Sequence, residues 1–269
     1  MQSTQQHSLQ APIGVFDAGI GSYGIVQVIR QHFPQQDILY LADRASFPYG
    51  SKTKPSLALA VNKAINALVN HGAQVVVLAS NAPSVMVLDE ISSQQSVPVF
   101  GVYPPVAQAL QRSCSGQIAV LGVQSLVQSR EILSYVNTQA AGAPVTLRNA
   151  SSLVSLVEDG SFLWRKEETQ NKVSEFMARL LEEKPHIDVC TLSSTHLPWL
   201  LEYFKRAAPS VQFLDPALEL LPQLGPFTSQ GCGVTKCLAT ASQASPLDDL
   251  SRMLHLLGVD LQPNLITID

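Results

Sequence analysis

The sequence has few charged and few aromatic side chains, which make up 14% and 6% of its 269 residues. Lysine and arginine do not outnumber the acidic residues, and the formal net charge is -4. A chain without a basic excess offers no broad surface for a phosphate backbone, so we expect no nucleic-acid partner. No apolar run approaches the roughly 18 residues that a bilayer-spanning helix needs, so we expect no membrane partner either.

Cysteine is also scarce, with four residues and neither a Cys-x-x-Cys pair nor the spacing of zinc ligands. Cys190 and Cys237 lie in apolar runs typical of strands, so we expect buried, inert thiols there. This usage is typical of a reducing compartment, and we expect a cytoplasmic protein without a metal site.

Hydrophobic residues are abundant and make up 46% of the chain. They are arranged in short apolar runs that alternate with amphipathic segments. IGVFDAG, DILYLAD and AQVVVLAS predict strands. Between the last two, Leu57, Val61, Ile65 and Leu68 recur at helical spacing. Strands alternating with helices predict an α/β fold with mostly parallel sheets.

The strand–helix series restarts after the Pro104-Pro105 pair, and the LDPA segment at residues 214–217 marks a second crossover. We therefore predict two pseudosymmetric α/β domains with an active-site cleft between them. The first domain comprises residues 1–103 and 215–269, and the second comprises residues 104–214.

Two of the predicted strands run into small polar clusters, in VVVLASNAPSV at residues 75–85 and DVCTLSSTHLPWL at residues 188–200. Open α/β sheets bind ligands at the carboxyl ends of their strands. We therefore interpret Ser80 and Ser194 as two halves of one site, with the N–H groups after Ser80 suited to a carboxylate or phosphate. The alternative is that each serine only caps a helix.

These clusters and three further segments resemble the glutamate racemase family. They are IGVFDAGIGSYGI from residue 13, LADRASFPYGSK from residue 41, LASNAPSV from residue 78, LVEDG from residue 156 and TLSSTHLPWL from residue 191. They follow the family's order and spacing. The resemblance implies a cofactor-independent isomerase that interconverts L- and D-glutamate and supplies D-glutamate for peptidoglycan.

The resemblance also implies the site. It gives catalytic roles to the positions of Ser80, Ser194, Asp17, Glu158 and His196. It gives substrate-binding roles to the positions of Ala18, Tyr49, Gly50, Asn81, Ala82 and Thr195. The ligand it implies is a small amino acid or dicarboxylate, with no cofactor and no metal, and it leaves a homodimer open.

The departures from the family pattern bear on its activity. Ser80 and Ser194 stand where the family has its two catalytic cysteines. Ala18 stands where the family has serine and Ala82 where it has threonine, and a Gly-Thr-x-x-Thr pattern is lost with Val123 and Leu126. The fold is therefore implied more strongly than the activity.

A thiol has a pKa of about 8.5 and can exchange a proton near neutral pH, whereas a serine hydroxyl needs a neighbouring base. We therefore predict that racemase activity is weak or lost. Two alternatives are another activity on a small carboxylate, using Asp17, Glu158 or His196, and a non-catalytic ligand-binding or regulatory role. A nucleophilic Ser194 paired with His196 is the least favoured, since no Gly-x-Ser-x-Gly elbow is present.

Overall fold

A computed structural model describes residues 8–268 of the chain and contains two parallel sheets flanked by helices. The strands are β1 Ile13–Asp17, β2 Ile38–Asp43, β3 Val75–Leu78, β4 Val99–Gly101, β5 Ile118–Gly122, β6 Val145–Asn149, β7 Val189–Ser193, β8 Gln212–Leu214, β9 Thr235–Thr240 and β10 Pro263–Leu265. The α-helices are α1 Tyr23–His32, α2 Lys54–Asn70, α3 Asn81–Pro83, α4 Asp89–Ile91, α5 Val106–Arg112, α6 Gln124–Val127, α7 Arg130–Ala140, α8 Ser151–Glu158, α9 Ser161–Trp164, α10 Lys166–Glu183, α11 Leu201–Ala207, α12 Leu221–Leu224 and α13 Leu247–Leu256.

The first sheet has six strands in the order β10-β9-β2-β1-β3-β4, and every pairing within it is parallel. Every residue of its central strands β1, β2 and β3 is buried. Their Val-, Ile- and Leu-rich sequences suit this position, because both faces of a parallel sheet are covered by helices. The α/β fold class predicted from the alternating pattern is therefore confirmed.

The second sheet has four strands in the order β6-β5-β7-β8, again with parallel pairings. The order β2-β1-β3-β4 in the first sheet is the same when each strand number is raised by four. By this correspondence β3 is equivalent to β7. Ser80 lies two residues after Leu78 of β3, and Ser194 lies two residues after Leu192 of β7. The repeated topology therefore brings each serine to the carboxyl end of its sheet.

The chain crosses between the sheets twice, after β4 and after β8, and β9 and β10 join the first sheet. We propose that the domain boundaries follow the sheets, with residues 1–103 and 215–269 in one domain and residues 104–214 in the other. Residues 1–7 and 269 of that division lie outside the described part of the chain.

Three elements differ from the sequence prediction. The segment between β6 and α10 forms α8 and α9, where the pattern predicted no helix. The helix predicted after β3 is divided into α3, a π-helical stretch at Ser84–Leu88 and α4. The chain continues past α13 into the edge strand β10, which was also not predicted.

The cysteine prediction agrees with the structure, in which Cys190 and Cys237 are buried and Cys114 and Cys232 are exposed as free thiols. Burial raises the pKa of Cys190 and of Cys237 to about 12, which keeps both thiols protonated and inert. No helix within residues 8–268 is both long enough and apolar enough to cross a membrane.

Candidate active site

A cleft of about 260 Å³ opens between the carboxyl ends of the two sheets. All the predicted site residues except Glu158 contribute to its wall, and Glu158 lies behind His196. The six-stranded sheet supplies segments that follow β1, β2 and β3, while the four-stranded sheet supplies segments that follow β5, β6 and β7. The cleft is therefore built from both halves of the chain, as the paired polar clusters predicted.

On the side of the first sheet, Asp17 ends β1 and Ser80 follows β3. Asp17 is 4% exposed, and this burial raises the pKa of its carboxyl to about 6. The Ala18 N–H, the nearby His196 imidazole and the Ser80 hydroxyl favour the ionised form and oppose the rise. A carboxyl that titrates near neutral pH beside a serine hydroxyl can serve that hydroxyl as an acid or a base.

On the side of the second sheet, Ser194, His196 and Glu158 form a connected line. The Ser194 Oγ lies 3.4 Å from His196 Nδ1, and His196 Nε2 lies 2.6 Å from Glu158 Oε1. Ser194 is 6% exposed and His196 is 7% exposed. The imidazole therefore connects a hydroxyl in the cleft wall with a carboxylate behind it.

Glu158, the last residue of α8, is held by groups of the first sheet's loops. Its Oε1 accepts a hydrogen bond of 3.0 Å from the Ile20 N–H, and its Oε2 lies 3.3 Å from Arg44 Nη1. Burial disfavours the charge, but the adjacent His196 imidazole, the charge of Arg44 and the Ile20 N–H outweigh it. Together they hold the pKa of Glu158 below its usual value.

Two glycines of the loop after β1 lie in close contact with His196 and Glu158. A Cβ added at Gly19 would lie 2.7 Å from Glu158 Oε1 and 2.8 Å from His196 Cε1. A Cβ added at Gly21 would lie 2.8 Å from the backbone N of His196. These positions accept only glycine without a shift of the imidazole, so the loop fixes where His196 lies.

The predicted substrate-binding residue Tyr49 has its hydroxyl already engaged, since it donates a hydrogen bond of 2.9 Å to Asp43 Oδ2. Burial, with the nearby Asp43 carboxylate, raises the pKa of Tyr49 well above its usual value. Asp43 in turn accepts from the Thr240 hydroxyl at 2.8 Å. The phenol is therefore a fixed, neutral part of the wall.

The wall also contains buried polar atoms without a partner among the described residues. Asn81 donates through Nδ2 to the Val102 carbonyl at 3.1 Å, but its Oδ1 is unpartnered. The Oγ of Ser125 is also buried and unpartnered. Buried polar groups in folded proteins nearly always have a hydrogen-bond partner, so these two are available to a ligand.

Apolar side chains occupy much of the remaining wall, including Ala18, Ala82, Val123 and Val154. No lysine or arginine in the described part of the chain lines the cleft. Residues 8–268 also contain no group of three or more His, Cys, Asp or Glu side chains placed to hold a metal ion.

The sequence model of a family described as Asp/Glu/Hydantoin racemase matches residues 23–224. The chain is 30% identical over 256 residues to the glutamate racemase of Aquifex aeolicus strain VF5, which covers 94% of this chain and 96% of the relative. The chain belongs to the Asp/Glu/hydantoin racemase family. The predicted resemblance to glutamate racemases is thereby confirmed.

Solved structures of glutamate racemases are also similar to this chain in architecture. The glutamate racemase of Thermus thermophilus, solved with beta-chloro-D-alanine, has a TM-score of 0.79 and 27% identity, covering 96% of this chain and 97% of that one. The Escherichia coli glutamate racemase, solved with L-glutamate and the activator UDP-MurNAc-Ala, has a TM-score of 0.82 at 20% identity, covering 97% and 100%. The second likeness shows the fold alone, and it agrees with the two-sheet architecture.

Several residues of the cleft wall were not predicted from the sequence. Ser125, Gln124 and Ser151 line the cleft without having been predicted. A Cβ added at Gly50 would lie 2.8 Å from Ser125 Oγ, which places this hydroxyl against the predicted Tyr49-Gly50 segment. Ser125 could have been found from its position in the chain. It follows the carboxyl end of β5, the strand equivalent to β1, which itself ends at the site residue Asp17.

Proposed function

We propose that the chain is a glutamate racemase-like protein that binds a small amino acid in the cleft and racemises glutamate very slowly or not at all. The observation that carries the proposal is that Ser80 and Ser194, one from each sheet, line the same cleft at the positions where the resemblance expects cysteines. The roles given to the site residues belong to this proposal. So does a contribution to D-glutamate supply for peptidoglycan.

The argument for low activity is the acidity of the two hydroxyls. Inverting an α-carbon needs one group to remove its proton and another, on the opposite face, to return one. Each positioned acid or base contributes about 10²–10⁴-fold to such a step, and the contribution falls as its pKa leaves the working pH. Serine hydroxyls are far less acidic than thiols, so replacing both groups removes most of the rate.

The argument for an amino-acid ligand is the chemistry of the wall. Asp17, when ionised, suits an α-ammonium group, and the unpartnered Asn81 Oδ1 accepts a hydrogen bond from an N–H donor. With Ala18, Ala82, Val123 and Leu126 at positions where the resemblance expects hydroxyls, a second carboxylate has fewer partners. We therefore expect binding of amino acids with one carboxylate to be at least as strong as binding of glutamate.

Two measurements test the proposal. The first is the melting temperature with D- and L-glutamate, aspartate, alanine and 2-aminobutyrate. A ligand at 100 times its Kd stabilises the fold by about 2.7 kcal/mol, which such a scan resolves. The second is proton exchange at Cα in heavy water, where we expect almost none with glutamate. Rapid racemisation by the unmodified protein would overturn the proposal.

The second candidate function is another activity on a small carboxyl compound, which the contact of Ser194 with His196 favours. A purely regulatory protein, in contrast, would show no shift with any small molecule of the screen. The predicted cytoplasmic location and the homodimer that the resemblance leaves open stay predictions, and light scattering of the purified chain tests the second.

A further inference from the structure

The line from Ser194 through His196 to Glu158 has the connectivity of a nucleophile, its general base and an orienting carboxylate. Such triads are recognised by their geometry and roles and not by fold or chain order. The 3.4 Å separation of Ser194 Oγ and His196 Nδ1 is long, but catalytic hydrogen bonds are often loose in ligand-free proteins and tighten with substrate. The proposed function already gives these three positions roles in proton transfer, but amino-acid racemisation requires no nucleophile, so a nucleophilic Ser194 goes beyond it.

The tautomer of His196 follows from its partners. Glu158 is held ionised by Arg44 and the Ile20 N–H, so in the neutral form of the imidazole the proton belongs on Nε2, 2.6 Å from Glu158 Oε1. The other nitrogen, Nδ1, then carries a lone pair and faces the Ser194 hydroxyl. This is the protonation state in which an imidazole can remove the proton of a serine.

We propose that Ser194 is a nucleophile for acyl transfer from small carboxylic esters, with His196 as its general base and Glu158 as the positioning residue. The cleft admits only a short acyl group, since its volume is about 260 Å³ and its wall near Ala82 and Val123 is apolar. Thr195 follows Ser194 in the wall, and its N–H makes no backbone hydrogen bond within residues 8–268. In other hydrolases the N–H after the nucleophile stabilises the oxyanion.

The step balances with water as the co-reactant. The Ser194 Oγ bonds to the ester carbonyl carbon while its proton passes to His196 Nδ1. The ester C–O bond then breaks, and the leaving alkoxide takes that proton to become the alcohol. Water next attacks the acyl carbon and gives a proton to His196 Nδ1. The bond between that carbon and Ser194 Oγ then breaks, and His196 returns the proton to Ser194 Oγ. The products are a carboxylic acid, an alcohol and the unmodified serine.

The test uses the full chain with diisopropyl fluorophosphate and with p-nitrophenyl acetate. Peptide mass spectrometry should place the phosphoryl adduct on Ser194, and p-nitrophenyl acetate should release a burst of one nitrophenolate per chain. Ser194→Ala should lose both signals. Ser155→Ala is the matched control, because Ser155 is exposed on the same helix as Glu158, and this variant should react at the rate of the unmodified chain.

Glu158 is tested by a change that a merely structural role would not produce. Glu158→Gln should slow labelling of Ser194 by about 10-fold or more and change its pH dependence, while Glu158→Asp should recover part of the rate. If Ser194→Ala does not fold, His196→Gln should lose the burst and the labelling in its place.

An adduct on another residue, or none on Ser194 in a chain with an unchanged melting temperature, would overturn the nucleophile. That result would leave the amino-acid binding proposal standing whenever the melting temperature still rises with an amino acid. Conversely, labelling of Ser194 without any amino-acid effect would overturn the binding proposal alone.

Discussion

Single residues determine the electrostatics of the cleft, and Asp17 has the largest effect on the side of the first sheet. The pKa of this carboxyl is 3.8 ordinarily and about 6 in the folded protein, chiefly because it is buried. The folded state therefore holds the proton more tightly than the unfolded chain does. Stability falls as the pH rises from about 4 to about 6, and the cost of the buried charge remains at higher pH.

Asp17→Asn should remove that cost. The difference between the two pKa values corresponds to about 3 kcal/mol, so we expect the variant to be up to about 3 kcal/mol more stable than the unmodified chain at pH 7.5. At pH 4 the two should be nearly equal. Urea unfolding at both pH values measures this. Exposed Asp260→Asn is the control, and a loss of stability in Asp17→Asn at pH 7.5 would show instead that the carboxylate is net stabilising.

Gly21 is a second residue whose role can be tested by one substitution. Gly21→Ala should destabilise the fold by about 1–3 kcal/mol, because the new Cβ would lie 2.8 Å from backbone atoms of Thr195 and His196 that cannot yield as a side-chain end would. Thermal unfolding measures this, and labelling of Ser194 should slow in parallel as His196 shifts.

Ser155→Ala is the control, because Ser155 is exposed on α8 and the substitution adds no atom. This substitution should change stability by no more than about 0.5 kcal/mol, as is usual for surface positions. Equal losses in the two variants would contradict the close contact at Gly21.

Among the elements, α8 connects the two halves of the protein. It follows β6 of the second sheet, yet its last residue, Glu158, contacts Arg44 and Ile20 in loops of the first. The side chains of Arg44 and Glu158 are 11% and 15% exposed, so solvent weakens their attraction only in part.

The Arg44–Glu158 pair should therefore be coupled energetically. A double-mutant cycle with Arg44→Met and Glu158→Gln should give a coupling energy of about 0.5–3 kcal/mol in urea unfolding at pH 7. The control cycle uses Arg252 and Asp249, whose side chains are 70% and 49% exposed and which both lie in α13. We expect its coupling to be much smaller, and comparable couplings in the two cycles would contradict a special role for α8.

Comparison of the observed strands and helices with the sequence pattern shows which elements were predictable. The fully buried strands, such as β1 and β3, were predictable because continuous apolar runs between helices have few other interpretations. The helix α8 was missed because its sequence, SSLVSLVE, is short and follows the strand β6 almost directly, although the left-handed Gly160 beyond it is typical of a helix end. The strand β10 was missed because Pro-Asn-Leu has weak strand propensity, and only pairing with β9 makes it a strand.

For the site, the pattern located the residues that end strands and could not locate those brought in by tertiary packing. Asp17, Ser80 and Ser194 were predictable because parallel strands place their carboxyl ends at one edge of a sheet. The unpartnered hydroxyl of Ser125 was not predicted, since its burial depends on the approach of Gly50 from the other half of the chain. The same holds for the ion pair of Arg44 with Glu158.

For the whole molecule, the decisive property is that the two faces of the cleft belong to different sheets. Ser80 follows β3 of the six-stranded sheet and Ser194 follows β7 of the four-stranded sheet. A ligand between them is therefore approached from both halves of the chain at once. Restoring one acid or base restores chemistry on one face only.

This predicts the outcome of returning thiols to the cleft. Ser80→Cys alone and Ser194→Cys alone should each exchange the Cα proton of one glutamate enantiomer with heavy water, without inverting it. The double variant should racemise, because a thiolate can remove the proton on one face while a thiol returns one on the other. We expect only partial activity, since Ala18, Ala82 and Leu126 still lack the hydroxyls that the family resemblance expects.

Circular dichroism of the product and its deuterium content measure the two steps, and Ser194→Cys combined with exposed Ser155→Cys is the control for thiol number. Racemisation by either single variant at the rate of the double variant would show that Asp17 or His196 already supplies the second proton transfer.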